Sequence, residues 1–184
     1  MTTAVQLLDT QLFASFIDTN VHRPYRVSCG WAGGRGSAKA VGQCFNPKLS
    51  ADKTTELFIM PTEQDELAVL DTLAHENVHR WVGTECGHKG AFKHLALQIG
   101  LTGKMTSTVA GDDLRAQLQG FITLLGKYPH ASLKRSAGKK QTTRLVKMSC
   151  PACENIARQS RKAALEYGLI CLACGLTMVM TEPK

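Results

Sequence analysis

The stretch His75-Glu76-Asn77-Val78-His79 carries the strongest structural signal in the chain, and the apolar residues around it predict a buried helix. Histidines four apart project from one helical face, so both imidazoles can reach one metal ion while Glu76 leans towards its open side. At this chain's own His and Glu frequencies, H-E-x-x-H is expected by chance only about 0.01 times. The pattern indicates a zinc hydrolase site. The alternative is a helix with two ordinary histidines and a solvated glutamate.

A catalytic zinc ion needs a third protein ligand and one open position for water. The downstream candidates are Glu85, His88 and His94. The glycine and histidine that the metzincin pattern requires after the second histidine are missing, which excludes that class. Glu85 would have to fold back sharply, whereas His88 follows Gly87 in a turn, so we expect His88 to be the third ligand. Asp71, one turn before His75, is a candidate hydrogen-bond partner for the ligand histidines.

The surrounding sequence predicts a mixed α+β fold. Apolar spacing predicts a helix over the first seventeen residues, and three short strands are expected at Tyr25–Trp31, Ala40–Phe45 and Leu57–Met60. The helix that carries the histidines is expected to open at Pro61 and Thr62 and to stop at Gly83. Further helices are expected from about Gly90 to Ile99 and from about Gly111 to Leu125.

Two C-x-x-C pairs, Cys150-Pro151-Ala152-Cys153 and Cys171-Leu172-Ala173-Cys174, are separated by seventeen residues. This spacing matches a four-cysteine zinc ribbon, in which each pair supplies two thiolates to a tetrahedral ion. A redox function is the alternative, although a thioredoxin-like site needs only a single pair. The segment is too short to bury an adequate core, so zinc would supply much of its folding free energy.

Composition sets the outer limits of the prediction. The chain has 184 residues and a net charge of +7, from 22 Lys and Arg against 15 Asp and Glu. This length suits one ordinary domain with a small appendage, so we expect a first domain over residues 1–140, ending in a basic linker, and a zinc ribbon over 141–184. The odd count of seven cysteines, with no leader-like start and no long apolar run, favours reduced thiols in the cytoplasm and no membrane span.

The basic excess is concentrated near the predicted ribbon, because no Asp or Glu occurs between Leu114 and Cys153. A basic surface of this kind suits contacts with nucleic-acid phosphates. The alternative is a solvated basic face, since no series of aromatic residues marks a stacking platform. The candidate DNA-contacting residues are Lys134, Arg135, Lys139, Lys140, Arg144, Lys147, Arg158, Arg161 and Lys162.

Taken together, these motifs resemble the SprT-like zinc metalloproteases, in particular their short bacterial and bacteriophage members. The resemblance rests on His75 to His79, on Gly87-His88-Lys89-Gly90 followed by Phe92, and on the two cysteine pairs. Two features depart from the family pattern: Lys89 stands where a glycine usually follows the third histidine, and only eight residues separate His79 from His88.

The resemblance implies a zincin-like metalloprotease domain followed by the ribbon, with zinc held by His75, His79 and His88 and with Glu76 as catalytic acid and base. It also implies a zinc metallopeptidase that cleaves proteins at or crosslinked to DNA, either single-stranded or branched, in the bacterial cytoplasm or nucleoid. Two zinc ions per chain are expected, one catalytic and one structural. The competing hypothesis is a non-catalytic DNA-binding zinc protein whose histidine site is vestigial or regulatory.

Overall fold

The computed structural model describes residues 1–33, 40–134 and 145–181. The chain divides into two compact units, Met1–Arg135 and Ser136–Lys184, each with its own buried core. The predicted domain boundary after residue 140 lies between residues 135 and 144, outside the described residues. Within the described ranges, no helix combines the length and the apolar composition needed to cross a membrane.

The first unit is a mixed α+β structure, in agreement with the predicted class. A three-stranded sheet and a two-stranded hairpin pack with the helices around one core. In chain order its elements are α1 (Thr2–Gln11), β1 (Tyr25–Cys29), β2 (Gly42–Phe45), β3 (Thr55–Ile59), α2 (Glu66–Val82), α3 (Ala91–Gln98), β4 (Leu101–Lys104), β5 (Ser107–Ala110) and α4 (Asp112–Leu125), with short 3-10 turns at Phe13–Ser15 and Pro47–Leu49.

The three-stranded sheet has the order β1-β3-β2, with β3 parallel to β1 and antiparallel to β2. Thr55, Leu57 and Ile59 alternate along β3 and are all buried, because one face of the strand packs into the core. Strand β2 pairs only with β3 among the described residues, so it forms an edge of this sheet, and it packs beside α2.

Two predicted helix boundaries are wrong, and one hairpin is missing from the prediction. Helix α2 begins at Glu66 rather than at Pro61, because the Asp65 side chain caps it by accepting a hydrogen bond from the Ala68 N–H at 2.8 Å. Helix α1 ends at Gln11, and the buried Phe13 belongs to a separate 3-10 turn. The sequence analysis does not predict the β4–β5 hairpin. Gly103, next to its turn, has a left-handed backbone (φ 84°), a conformation that favours glycine.

The second unit is a small antiparallel sheet with one short helix. Its elements are β6 (Leu145–Ser149), β7 (Ile156–Ser160), α5 (Arg161–Glu166) and β8 (Val179–Thr181), and the strand order is β7-β6-β8. Its core contains few buried residues: Val146, Met148, Cys150, Cys171 and Met178. Two of the five are cysteines of the C-x-x-C pairs, so the cysteine cluster is part of the small core that holds this unit together.

One carboxylate ties α2 to α1. Asp9 accepts hydrogen bonds from Asn77 Nδ2 at 2.8 Å, Arg80 Nη1 at 2.6 Å and Trp81 Nε1 at 2.9 Å. The Arg80 side chain is 5% exposed, and its guanidinium also stacks on the ring of Tyr25, 4.1 Å from the ring centroid. A buried ion pair of this kind is costly to break, since removing one partner leaves the other charge uncompensated.

We therefore expect Asp9→Ala to lower the free energy of unfolding of the first unit by about 3–4 kcal/mol. The control is Asp18→Ala, which removes an exposed carboxylate bonded only to nearby Asn20 and should cost less than about 1 kcal/mol. Urea unfolding followed by tryptophan fluorescence measures both, because Trp31 and Trp81 lie in this unit. Equal stability of the two variants would show that Asp9 does not anchor α2.

Candidate metal centres

The structure brings the three predicted ligand histidines together. His75 and His79 lie one turn apart on α2, and His88 Nε2 lies 3.2 Å from the Nε2 atom of each of them. Burial and repulsion from His88 lower the pKa of His75 to about 4, and burial and its two histidine neighbours lower the pKa of His79 to about 3. Both imidazoles are therefore neutral near pH 7, which is the form that binds metals.

A short turn returns His88 to α2. Gly83 ends the helix with φ 87°, and Gly87 and Gly90 also have left-handed backbones, so the chain reverses within a few residues. The ring of Phe92, fully buried on α3, then packs against all three imidazoles at centroid distances of 4.3–5.0 Å. Glu85, the alternative third ligand, instead accepts a hydrogen bond from Asn46 Nδ2 at 2.8 Å.

The spacing of these nitrogens fits a bound metal ion. With zinc–nitrogen bonds of roughly 2.0–2.1 Å, tetrahedral geometry places two ligand nitrogens about 3.3 Å apart, close to the two separations of 3.2 Å. Hydrogen bonds do not explain both short contacts equally well, because a single proton on His88 Nε2 can be donated to only one of the two neighbouring nitrogens. The three imidazoles are thus a candidate metal site with a nitrogen donor set that suits zinc.

The partner of His75 comes from the hairpin that was not predicted. His75 Nδ1 lies 2.8 Å from Thr108 Oγ1 on β5, and a hydrogen bond there leaves Nε2 free for a metal. Asp71, the expected partner, makes no such bond: its Oδ1 is buried without a hydrogen-bond partner, and burial raises its pKa. Thr108 lies 33 residues from His75, so no local pattern could have revealed this contact.

Glu76 lies beside the histidines, against the edge strand β2. It is 7% exposed, and burial raises its pKa to about 8, although a hydrogen bond with the Cys44 backbone opposes the shift. Only a glycine fits the start of β2 at this point. A Cβ at Gly42 would overlap Thr72 Cγ2 and lie 3.0 Å from Glu76 Oε1. The close approach of β2 therefore fixes the position of the Glu76 carboxylate.

A cavity of about 570 Å³ opens in front of this cluster. Residues of β2 line one wall and residues 106–109 of the hairpin line another, while His75, Glu76, His79 and His88 form part of its lining. The acidic residues lining this cleft are Glu63, Asp71 and Glu76, and no Lys or Arg of the described residues joins them. The cleft is thus accessible to a ligand and lined by acidic but not basic side chains, in a chain whose net charge is +7.

The four cysteines of the second unit also converge. One ligand atom from each of Cys150, Cys153, Cys171 and Cys174 lies within 4.8 Å of the others, and Cys153 Sγ is 3.6 Å from Cys171 Sγ. Zinc–sulfur bonds of about 2.3 Å in a tetrahedron place two sulfurs about 3.8 Å apart. The arrangement is compatible with a zinc ribbon.

The two C-x-x-C loops have the same backbone hydrogen bonds, which supports a shared metal-binding geometry. The N–H of the first cysteine donates to the carbonyl five residues later, in Cys150 to Asn155 and in Cys171 to Leu176. The residue after each second cysteine donates back to the first cysteine and has a left-handed backbone: Gly175 (φ 67°) in one loop and Glu154 (φ 58°) in the other.

The structure separates the candidate DNA-contacting residues. Lys147 on β6 lies directly opposite Arg158 on β7, and both are exposed. Lys162 and Arg161 lie on α5, where Lys162 Nζ is 3.9 Å from Glu166. Lys134 belongs to the first unit. The remaining four, Arg135, Lys139, Lys140 and Arg144, lie outside the described residues.

Comparisons with protein-family models, curated proteins and solved structures found no match to the chain. The resemblance to SprT-like proteases therefore rests on the sequence motifs alone.

Proposed function

We propose that this chain is a zinc-dependent metalloprotease of the SprT-like type, with a zincin-like first unit, that acts on proteins at or crosslinked to DNA. The observation that carries the proposal is the convergence of three imidazole nitrogens beside a buried glutamate in an open cleft. A structural metal site needs no base next to it, whereas a hydrolytic site needs both the metal and the base.

In this proposal His75, His79 and His88 hold the catalytic ion. A zinc ion held there would lower the pKa of a bound water from about 15.7 to about 7 and would polarise a substrate carbonyl. Glu76 accepts the proton of the attacking water on its carboxylate and hands it to the leaving amine. A dication close to Glu76 favours its ionised form, which offsets the raised pKa that burial alone imposes. Thr108 holds the His75 ring in the tautomer that presents Nε2.

The second unit is proposed to bind a structural zinc ion and to contact DNA. Lys147 and Arg158 face each other across two strands, and like charges in this position repel. The outward positions around them on the three strands are apolar or hydroxyl-bearing, with no carboxylate among the described residues of that face. A phosphate backbone laid across the sheet would relieve this repulsion.

The catalytic role is tested with Glu76→Gln, which keeps the size of the side chain but removes the base. We expect cleavage of a DNA-binding protein, assayed with and without single-stranded DNA, to fall at least about 100-fold while metal content is unchanged. Glu85→Gln is the matched control, because Glu85 is exposed and bonded to Asn46 and Lys48, and it should retain activity. Absence of activity in the wild-type chain, or equal activity in Glu76→Gln, would favour the alternative, a non-catalytic DNA-binding zinc protein.

The metal count is tested by elemental analysis of three chains. We expect two zinc ions in the wild type and one in Cys150→Ser, because the tetrahedral site loses a thiolate in a unit with little other core. Cys29→Ser should still bind two, since Cys29 lies on β1 in the first unit, outside both clusters. Two zinc ions in Cys150→Ser would contradict the ribbon assignment.

The DNA contact is tested by the salt dependence of binding to single-stranded DNA. Lys147→Ala should weaken binding and reduce the slope of log K against log salt by about 1, because one fewer phosphate is neutralised. Lys93→Ala removes the same charge from an exposed position on α3 and should leave the slope unchanged. Identical slopes for both variants would exclude the β6–β7 face as the binding surface.

A further inference from the structure

A second cavity, of about 260 Å³, lies beside the histidine cluster and, unlike the cleft, is lined by more basic than acidic side chains. The loop at residues 22–24, the turn at residues 46–48 and the end of α2 line it together with Lys53. Cys44, His79 and Thr84 line both this cavity and the cleft. Its Lys and Arg residues are Arg23, Lys48, Lys53 and Arg80, and Glu85 is the only carboxylate among its described lining residues.

Two of these cations have no acidic partner among residues 1–33, 40–134 and 145–181. Arg80 is neutralised by Asp9, and Lys48 shares Glu85 at 3.6 Å. Arg23 and Lys53 form no ion pair with any carboxylate of the described residues, and the Arg23 guanidinium lies 5.9 Å from the centroid of the Trp81 ring. The cavity therefore holds an excess of positive charge beside a buried guanidinium.

The backbone conformation of Lys53 indicates that its side chain has a function. Lys53 has φ 56°, in the left-handed region where a glycine or an asparagine is less strained. The Lys53 N–H donates to the Ser50 carbonyl at 3.0 Å, which supports the turn but does not require a lysine, and the ammonium group contacts no carboxylate of the described part of the chain. Strain kept at one residue in this way is typical of binding sites.

We propose that this cavity binds a phosphate ester, with the Arg23 guanidinium and the Lys53 ammonium as its main ligands. Arginine and lysine together are the usual donors to phosphate oxygens, through charge-assisted hydrogen bonds. The site is distinct from the cysteine unit and does not depend on proteolysis by the first unit. The ester is either a small molecule or the backbone of a nucleic acid.

The decisive variant is Lys53→Asn in the full-length, zinc-loaded chain. An asparagine tolerates the left-handed backbone, so the melting temperature should stay equal or rise while the cation is lost. Inorganic phosphate is titrated and followed by the NMR shifts of the backbone amides of residues 22, 23, 46, 48 and 53–55. We expect the dissociation constant to rise about tenfold, as for the loss of one hydrogen bond to a charged group. Lys93→Asn, with the same loss of charge on α3, should bind phosphate like the wild type.

A short single-stranded oligothymidine, titrated in the same way, distinguishes the two sources. If Lys53→Asn weakens both phosphate and oligothymidine at these amides, the cavity binds nucleic-acid backbone. If it weakens only phosphate, the site takes a small phosphate ester. If phosphate moves none of these amides in the wild type, or if Lys53→Asn and Lys93→Asn bind alike, the proposal is wrong, whatever the outcome of the protease assay.

Discussion

The hydrogen bonds of Asp9 are the constraint on which the histidine cluster depends. Each residue of an α-helix advances about 100° around the axis, so the midpoint of Asn77, Arg80 and Trp81 lies about 170° from that of His75 and His79. The Asp9 carboxylate therefore binds one side of α2, and the imidazoles lie on the opposite side. A rotation of α2 that moved the histidines would have to break three hydrogen bonds to a largely buried carboxylate.

The periodicity of the helix also explains why Glu76 is buried. It advances about 100° from His75, to the side of α2 that faces β2, rather than towards the solvent. There Gly42 lets the edge strand approach closely enough to enclose the carboxylate. The base of the proposed reaction thus depends on two features far from it in sequence, a glycine on β2 and an aspartate on α1.

The sequence predicted those parts of the sites whose geometry is local. Histidines four apart on a helix and cysteines three apart in a tight loop are brought together by the backbone itself, so their convergence follows from spacing. His88 was predictable because glycines allow the chain to return at once to α2. The roles of Asp9 and Thr108 were not predictable, since each depends on packing between elements that lie far apart in sequence. The start of α2 is hard to place from sequence because Thr62 and Asp65, three residues apart, can each cap a helix. In the structure Asp65 is the cap, and the Thr62 carbonyl accepts a hydrogen bond from Ser132 Oγ rather than from a helical N–H.

Acidic and basic side chains predominate in different cavities beside α2, and this separation bears on what each cavity can bind. In the proposed metal site, a dication held by three neutral imidazoles would gain from the carboxylates of the cleft, and no Lys or Arg among the described residues lining it would compete for them. In the second cavity, which shares His79 and Cys44 with the cleft, basic side chains outnumber acidic ones. Under the two proposals, an anion bound there would lie close to His79, a candidate metal ligand, and opposite charges at short range attract one another. Cation and anion binding on the two sides of His79 would then favour each other, and neither would require the other's ligands.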